Sequence, residues 1–155
     1  MIRTLLLFNF LLLSLCLNAQ RFDWVSTGGS ALTIANSYQG AIDIARNSNG
    51  ELYTMDYANF GQQCQGDTVY PYPGINTFLY KFDENGELLH MMAIGDNAYA
   101  LNIEVDDEDG VYLLIENRSN MIIINDDSIS AVAFRNYIIK LNGVTFELEW
   151  IHNTN

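Results

Sequence analysis

Beyond residue 40 the chain alternates apolar and polar residues in short runs, punctuated by Gly, Asn and Asp. Period-two alternation with β-branched and aromatic enrichment predicts strands near residues 41–46, 51–56, 77–82 and 87–92. A second group follows near 100–105, 111–116, 137–141 and 146–151. Asn49-Gly50, Asn85-Gly86 and Asp109-Gly110 fall between successive runs, where Gly and Asn tolerate the positive φ of a tight hairpin. Helical spacing is weak everywhere; the best stretch is residues 31–36. Two long stretches, 57–76 and 117–136, separate the second and third runs of each group. Loops of that length carry structure or function. Within them Thr68-Val-Tyr70 and Met121–Ile124 can each form an extra ribbon, and Pro71 and Pro73 bar the first from a central strand.

The two groups read as one pattern written twice. When the chain is slid along itself so that Ile42-Asp-Ile44 falls on Leu101-Asn-Ile103, Tyr53 falls on Tyr112. In the same register Phe78–Phe82 falls on Tyr137–Leu141, with Lys81 over Lys140. One further place of slip matches Glu87-Leu88 to Glu147-Leu148 and sets His90 against Trp150. Four blocks in the same order point to a repeated supersecondary unit.

A tandem four-stranded unit with a Gly turn after its innermost strand is the sequence form of a propeller blade. The residues that carry it are Ala41–Gly50 with Leu52-Tyr53, Ala58–Gly61 and Phe78–Leu89, then Ala100–Asp106, Gly110–Tyr112 and Tyr137–Leu141. These resemble the β-propeller repeats of secreted bacterial proteins, the seven-bladed SBBP-type repeats, over roughly residues 22–153. The sequence departs from that pattern in having His90 where a Trp is usual, and in a displaced Asn142-Gly143 turn. The resemblance implies an all-β, β-propeller-like chain of two consecutive four-stranded antiparallel blades. That is an incomplete ring, since closure takes about four to eight blades. Phe22–Ser26 resembles Glu147–Ile151, a fourth strand without its preceding three. The expected organisation is a leader at 1–19, an orphan strand and linker at 20–40, blade 1 at 41–95 and blade 2 at 96–155.

The leader follows from the start of the chain. Arg3 precedes an apolar run from Leu5 to Leu17, and Ala19 offers a small residue at the exit, as in a secretory signal peptide cleaved after Ala19. The run is short of the roughly 20 residues a stable membrane anchor takes. An uncleaved anchor and a lipid-modified Cys16 are the competing readings, and Leu15 is not the small residue a lipoprotein signal places before its Cys. Cleavage would leave Cys64 as the remaining cysteine, so no intramolecular disulfide is expected.

Charge and candidate chemistry narrow the function. Lys+Arg number 7 against 19 Asp+Glu, giving −12, or 6 − 19 = −13 once Arg3 is removed. Nucleic-acid binding requires basic residues to displace counterions, and is excluded as an expectation. Asp106–Asp109 is the densest acidic run, but its spacing does not match an alternating Ca²⁺ loop, and Asp126-Asp127 is weaker still. His90 and His152 each have a packing or surface explanation, and Gly28-Gly29-Ser30 reads as a loop between strands. No Gly-x-Ser-x-Gly elbow, Walker loop or paired zinc spacing occurs. Asn117-Arg-Ser119 fits a glycosylation acceptor that a bacterial chain leaves unused.

No catalytic, cofactor-binding or metal residues are therefore assigned, and no enzyme activity is expected of the chain. The expected role is that of a secreted or cell-surface propeller-repeat protein, or the N-terminal part of one, serving as a binding scaffold for an unknown protein or glycan. The alternative is the propeller portion of a larger extracellular hydrolase whose catalytic residues lie elsewhere. The mature chain is expected to be free of the membrane, with self-association or further blades to cover its apolar outer faces.

Overall fold

The computed structural model describes residues 28–30 and 39–154; the predicted leader, the orphan strand at 22–26 and the weak helical stretch at 31–36 lie outside the described residues. The described chain is all-β. The strands are β1 (Gly28–Ser30), β2 (Gln39–Arg46), β3 (Leu52–Ala58), β4 (Gln62–Cys64), β5 (Asp67–Val69), β6 (Asn76–Phe82) and β7 (Leu88–Gly95). They continue as β8 (Ala98–Val105), β9 (Gly110–Asn117), β10 (Met121–Ile124), β11 (Asp127–Ser130), β12 (Arg135–Asn142) and β13 (Leu148–Asn153).

β2, β3, β6 and β7 form one antiparallel meander, and β8, β9, β12 and β13 form another. The second sheet has four strands as expected, but the first has six. The β10–β11 hairpin reaches back from the second meander and pairs Ile123 and Ile124 with Gly95 and Ile94 at the end of β7. An exposed sheet edge leaves backbone groups unpaired, and this hairpin occupies one end of that edge. Register irregularities fall at matching places in the two meanders: between Ala41 and Asp43 and between Ala100 and Asn102, then between Lys81 and Phe82 and between Lys140 and Leu141.

Three hairpins share one turn chemistry. The backbone closes from Asn47 to Glu51, Asp83 to Glu87 and Asp106 to Gly110. In each, the side-chain Oδ1 of the first residue accepts two backbone N–H groups, two and four places on. Gly50 and Gly86 take the left-handed position, at φ 88° and 85°. In the third turn that position falls to Asp109, at φ 63°, and Gly110 opens β9 instead. The dipeptide therefore marks the turn correctly but assigns its left-handed residue one place late, because the loop length is set by Asp106.

Alternation along β3 sends Tyr53, Met55 and Tyr57 to the face that meets the second sheet, and Leu52 and Ala58 to the opposite face. The main core lies between the sheets, with Tyr53, Met55, Leu79, Met92 and Ile94 packed against Val111, Leu113, Ile115, Ile139, Leu141 and Phe146. A second cluster, Ala58, Cys64, Phe78, Tyr80, Phe82 and Ala93, fills the other face of the first sheet. β6 lies between both clusters, and every one of its residues is buried.

The second cluster overturns two expectations. Gly28-Gly29-Ser30 is not a loop but β1, which pairs with β4 in a separate three-stranded sheet of order β1-β4-β5. Cys64 of β4 belongs to this cluster, with Val69 and Tyr72 packed against it, so the outer face of the first sheet is not left bare to water. β5 sits at the edge of that small sheet, as Pro71 and Pro73 require. Among the described residues no helix is long and apolar enough to cross a membrane.

Candidate interaction surface

The chain places a Tyr–Lys pair at the same point of each sheet, and the two pairs meet opposite fates. Tyr53 pairs with Lys81 across β3 and β6, and Tyr112 pairs with Lys140 across β9 and β12. The ammonium stands 5.3 Å from the ring centroid in both, within cation–π range. On the next strand Lys81 faces His90 and Lys140 faces Trp150.

In the first sheet the pair is covered. The second sheet lowers its Asn142–Phe146 turn onto it, so that the Gly143 carbonyl accepts from the Tyr53 hydroxyl at 3.1 Å and from Lys81 Nζ at 3.0 Å. Phe146 packs against the Tyr53 ring at 6.2 Å and edge-on to His90 at 4.6 Å. Gly143 is required by close approach, since a Cβ there would collide with the Asp109 carbonyl oxygen. Lys81 is 6% exposed and bridges to Glu51 at 2.9 Å. Burial alone would depress the Lys81 ammonium, but Glu51 and Tyr53 outweigh it and hold its pKa above the usual value. Burial pushes Glu51 up, while Lys81 and Asn47 more than offset this and hold its carboxyl below the usual range.

Further polar contacts fix the two sheets together. Asp43 Oδ2, at the first bulge, accepts from Asn102 Nδ2 at 2.7 Å and from the Ile103 amide at 3.1 Å at the matching bulge of β8. Asp109 accepts from Asn47 Nδ2 at 2.8 Å and Asn49 Nδ2 at 3.2 Å, so the first turns of the two sheets interlock.

In the second sheet the corresponding face lies open except along β8, where Tyr99 meets Tyr57 of the first sheet at 5.8 Å and Asn102 reaches Asp43. Its rows run Tyr99–Glu116–Asn136, then Asn102–Leu114–Ile138–His152, then Glu104–Tyr112–Lys140–Trp150. Trp150 is 42% exposed and meets Tyr112 at 6.0 Å, while Leu114 and Ile138 are half-buried by their neighbours on the sheet. Lys140 bridges to Glu149 at 3.1 Å, and that hydrogen bond holds its pKa above the usual value. Arg118 grips Glu116 through two nitrogens at 2.9 and 3.1 Å and covers the Tyr99 ring at 4.1 Å. The face is thus an aromatic and aliphatic centre with charged groups at both ends.

The other candidate residues have local structural roles. Asp106 of the acidic run anchors its turn and accepts from the Tyr112 hydroxyl at 2.8 Å. The Gly110 amide, then Tyr112, hold the Asp106 carboxyl below the usual range. Asp126 is engaged through the Tyr72 hydroxyl at 2.9 Å. No group of three metal-ligating side chains is drawn together among the described residues. Burial, then Lys81, lowers the pKa of His90; His152 is exposed on the open face, and Cys64 is buried in the second cluster. Asn117 is fully buried, which closes the acceptor motif to modification of the folded chain.

The sequence pattern assigns no site and does not single out this surface, although both Tyr–Lys pairs and Trp150 align within it. Which of the two copies is covered depends on packing, and the period-two pattern is identical in either case. No protein-family model matches the chain, and no curated protein matches it.

Proposed function

We propose that the chain is an interaction scaffold of β-propeller-repeat type, exported through the leader at 1–19, whose working surface is the open face of the second sheet. The observation that carries this reading is the asymmetry between the two Tyr–Lys pairs. The same residues that seat a neighbouring sheet at Tyr53 and Lys81 recur at Tyr112 and Lys140, where they are only half-buried and meet no second sheet among the described residues. Exposed aromatic and aliphatic groups rimmed by charge are the usual composition of a protein contact surface. In the propeller reading the two meanders are consecutive blades, and the contacts of Asp43, Lys81 and Gly143 are those of one blade with the next.

Mapping by amine acetylation and hydrogen exchange tests the reading with the purified chain against glycan panels and candidate proteins. A ligand that slows acetylation of Lys140 and exchange along β9 and β12, with no turnover of ester, peptide or glycoside substrates, supports it. A ligand mapping only to the β1-β4-β5 side, or hydrolysis by the chain itself, refutes it.

A further inference from the structure

We propose that the open face of the second sheet closes on the same face of a second copy. The two copies are related by a two-fold axis with their strands antiparallel, and each Phe134 covers the other copy's Tyr112–Lys140–Trp150 row. The inference rests on reading this face as the contact surface, and it names the occupant.

The filled position in the first sheet shows what such a row receives. Its occupant is a phenylalanine, Phe146, held at a turn with φ 57° and fully buried against Tyr53 and His90. A bulky residue at positive φ is uncommon and costs energy, so it persists where surrounding contacts fix it. The chain holds a second phenylalanine in that conformation. Phe134, at φ 58°, precedes β12 and is 72% exposed, with Val132 beside it 54% exposed. Phe134 is the turn residue that leads into β12, two places before Asn136 at one end of the open face. Among the described residues, one Tyr–Lys row is covered by such a phenylalanine and one is not, while Phe134 stands largely exposed.

Spacing and charge set the symmetry. Phe134 and Lys140 lie at opposite ends of β12, separated by about 20 Å at roughly 3.3 Å per residue. Reversing one copy therefore brings each phenylalanine over the far end of the other and produces the same contact twice, as an isologous interface demands. The reversal stacks the Leu114–Ile138 rows at the centre. It also carries Arg118 of each copy toward Glu104 of the other, and Lys140 toward Glu116. A head-to-tail contact through the hairpin turns is closed. The Gly143 carbonyl is taken by Tyr53 and Lys81, and the Gly86 carbonyl accepts from Gln65 in the covering ribbon. The formal charge of −12 opposes approach at long range, but its reach is about 8 Å at physiological salt.

Sedimentation velocity on the whole chain, from sub-micromolar to hundreds of micromolar, reads the association directly. A monomer–dimer equilibrium is expected. Phe134→Ser and Leu114→Glu should each weaken it at least about tenfold, a loss of roughly 1.4 kcal/mol. Circular dichroism should be unchanged, because Phe134 is exposed and Leu114 lies on the face opposite the core residues Leu113 and Ile115. Acetylation of Lys140 should slow as dimer forms, while Lys81 stays protected throughout. A monomer across the range, an open-ended polymer, or a dimer indifferent to both variants with Lys140 freely acetylated would each overturn the proposal. A monomer whose Lys140 is protected by another ligand would assign the face to that ligand, leaving the scaffold reading standing and this inference refuted.

Discussion

Replacing Asp56 by Asn should flatten the pH dependence of folding stability. Asp56 lies on β3, its Oδ2 accepts from the Tyr80 hydroxyl at 3.1 Å, and its Oδ1 is buried without a partner among the described residues. Burial pushes its carboxyl from 3.8 up to about 7, against the smaller lowering from Tyr80. The folded chain thus holds a proton that the unfolded chain releases once the pH passes its ordinary carboxylate value. The associated stability is fully present below the unfolded pKa and is lost as pH rises through about 7. A rise of that size corresponds to roughly 4 kcal/mol in total, of which about 2.5 kcal/mol should disappear between about pH 5 and pH 8. Urea unfolding of wild type and Asp56→Asn at intervals across that range gives the comparison. Subtracting the two curves cancels groups common to both, such as Asp83 and Asp106, whose carboxyls backbone amides hold below the usual range. The variant should gain about 2.5 kcal/mol on wild type between the two ends. Tyr80→Phe removes the hydroxyl that favours the anion and should steepen the wild-type slope. Curves that stay parallel across the whole range would refute the reasoning and mean that Asp56 ionises in contact with water.

Other outcomes follow from the contacts between the sheets. Gly143→Ala should lose at least about 2 kcal/mol in chemical denaturation, because its Cβ would collide with the Asp109 carbonyl. Lys81→Met should cost about 2 kcal/mol by removing one partner of the largely buried pair with Glu51, whereas Lys140→Met, on the open face, should stay within about 0.5 kcal/mol of wild type. Equal losses at the two lysines would contradict the asymmetry between the faces. Mass spectrometry of exported chain should find Gln20 as the first residue, and an intact Met1 on membrane-bound material would sink the export reading.

The sequence alone determined the eight strands of the two meanders and their order. Period-two alternation fixes which residues share a face, so Tyr53 with Met55 and Tyr112 with Leu114 were legible before any packing. The Asn-Gly and Asp-Gly dipeptides marked the turns, whereas the part of Asn47, Asp83 and Asp106, whose side chains accept the turn amides, came only with the structure. What the tertiary structure decided is where each face goes. Lys81 and Lys140 occupy the same local setting, and the descent of the Gly143 turn buries the first while the second stays half-buried on its own sheet. The ribbon of β1, β4 and β5 is equally a tertiary result. Gly28–Ser30 carries almost no side-chain signal for a strand, and it becomes one by pairing with Gln62–Cys64, far along the chain. The β10–β11 hairpin likewise joins the first sheet through two pairings that no local pattern encodes. Alternation and turn chemistry act between near neighbours in sequence, whereas burial of a face depends on which distant element arrives to cover it.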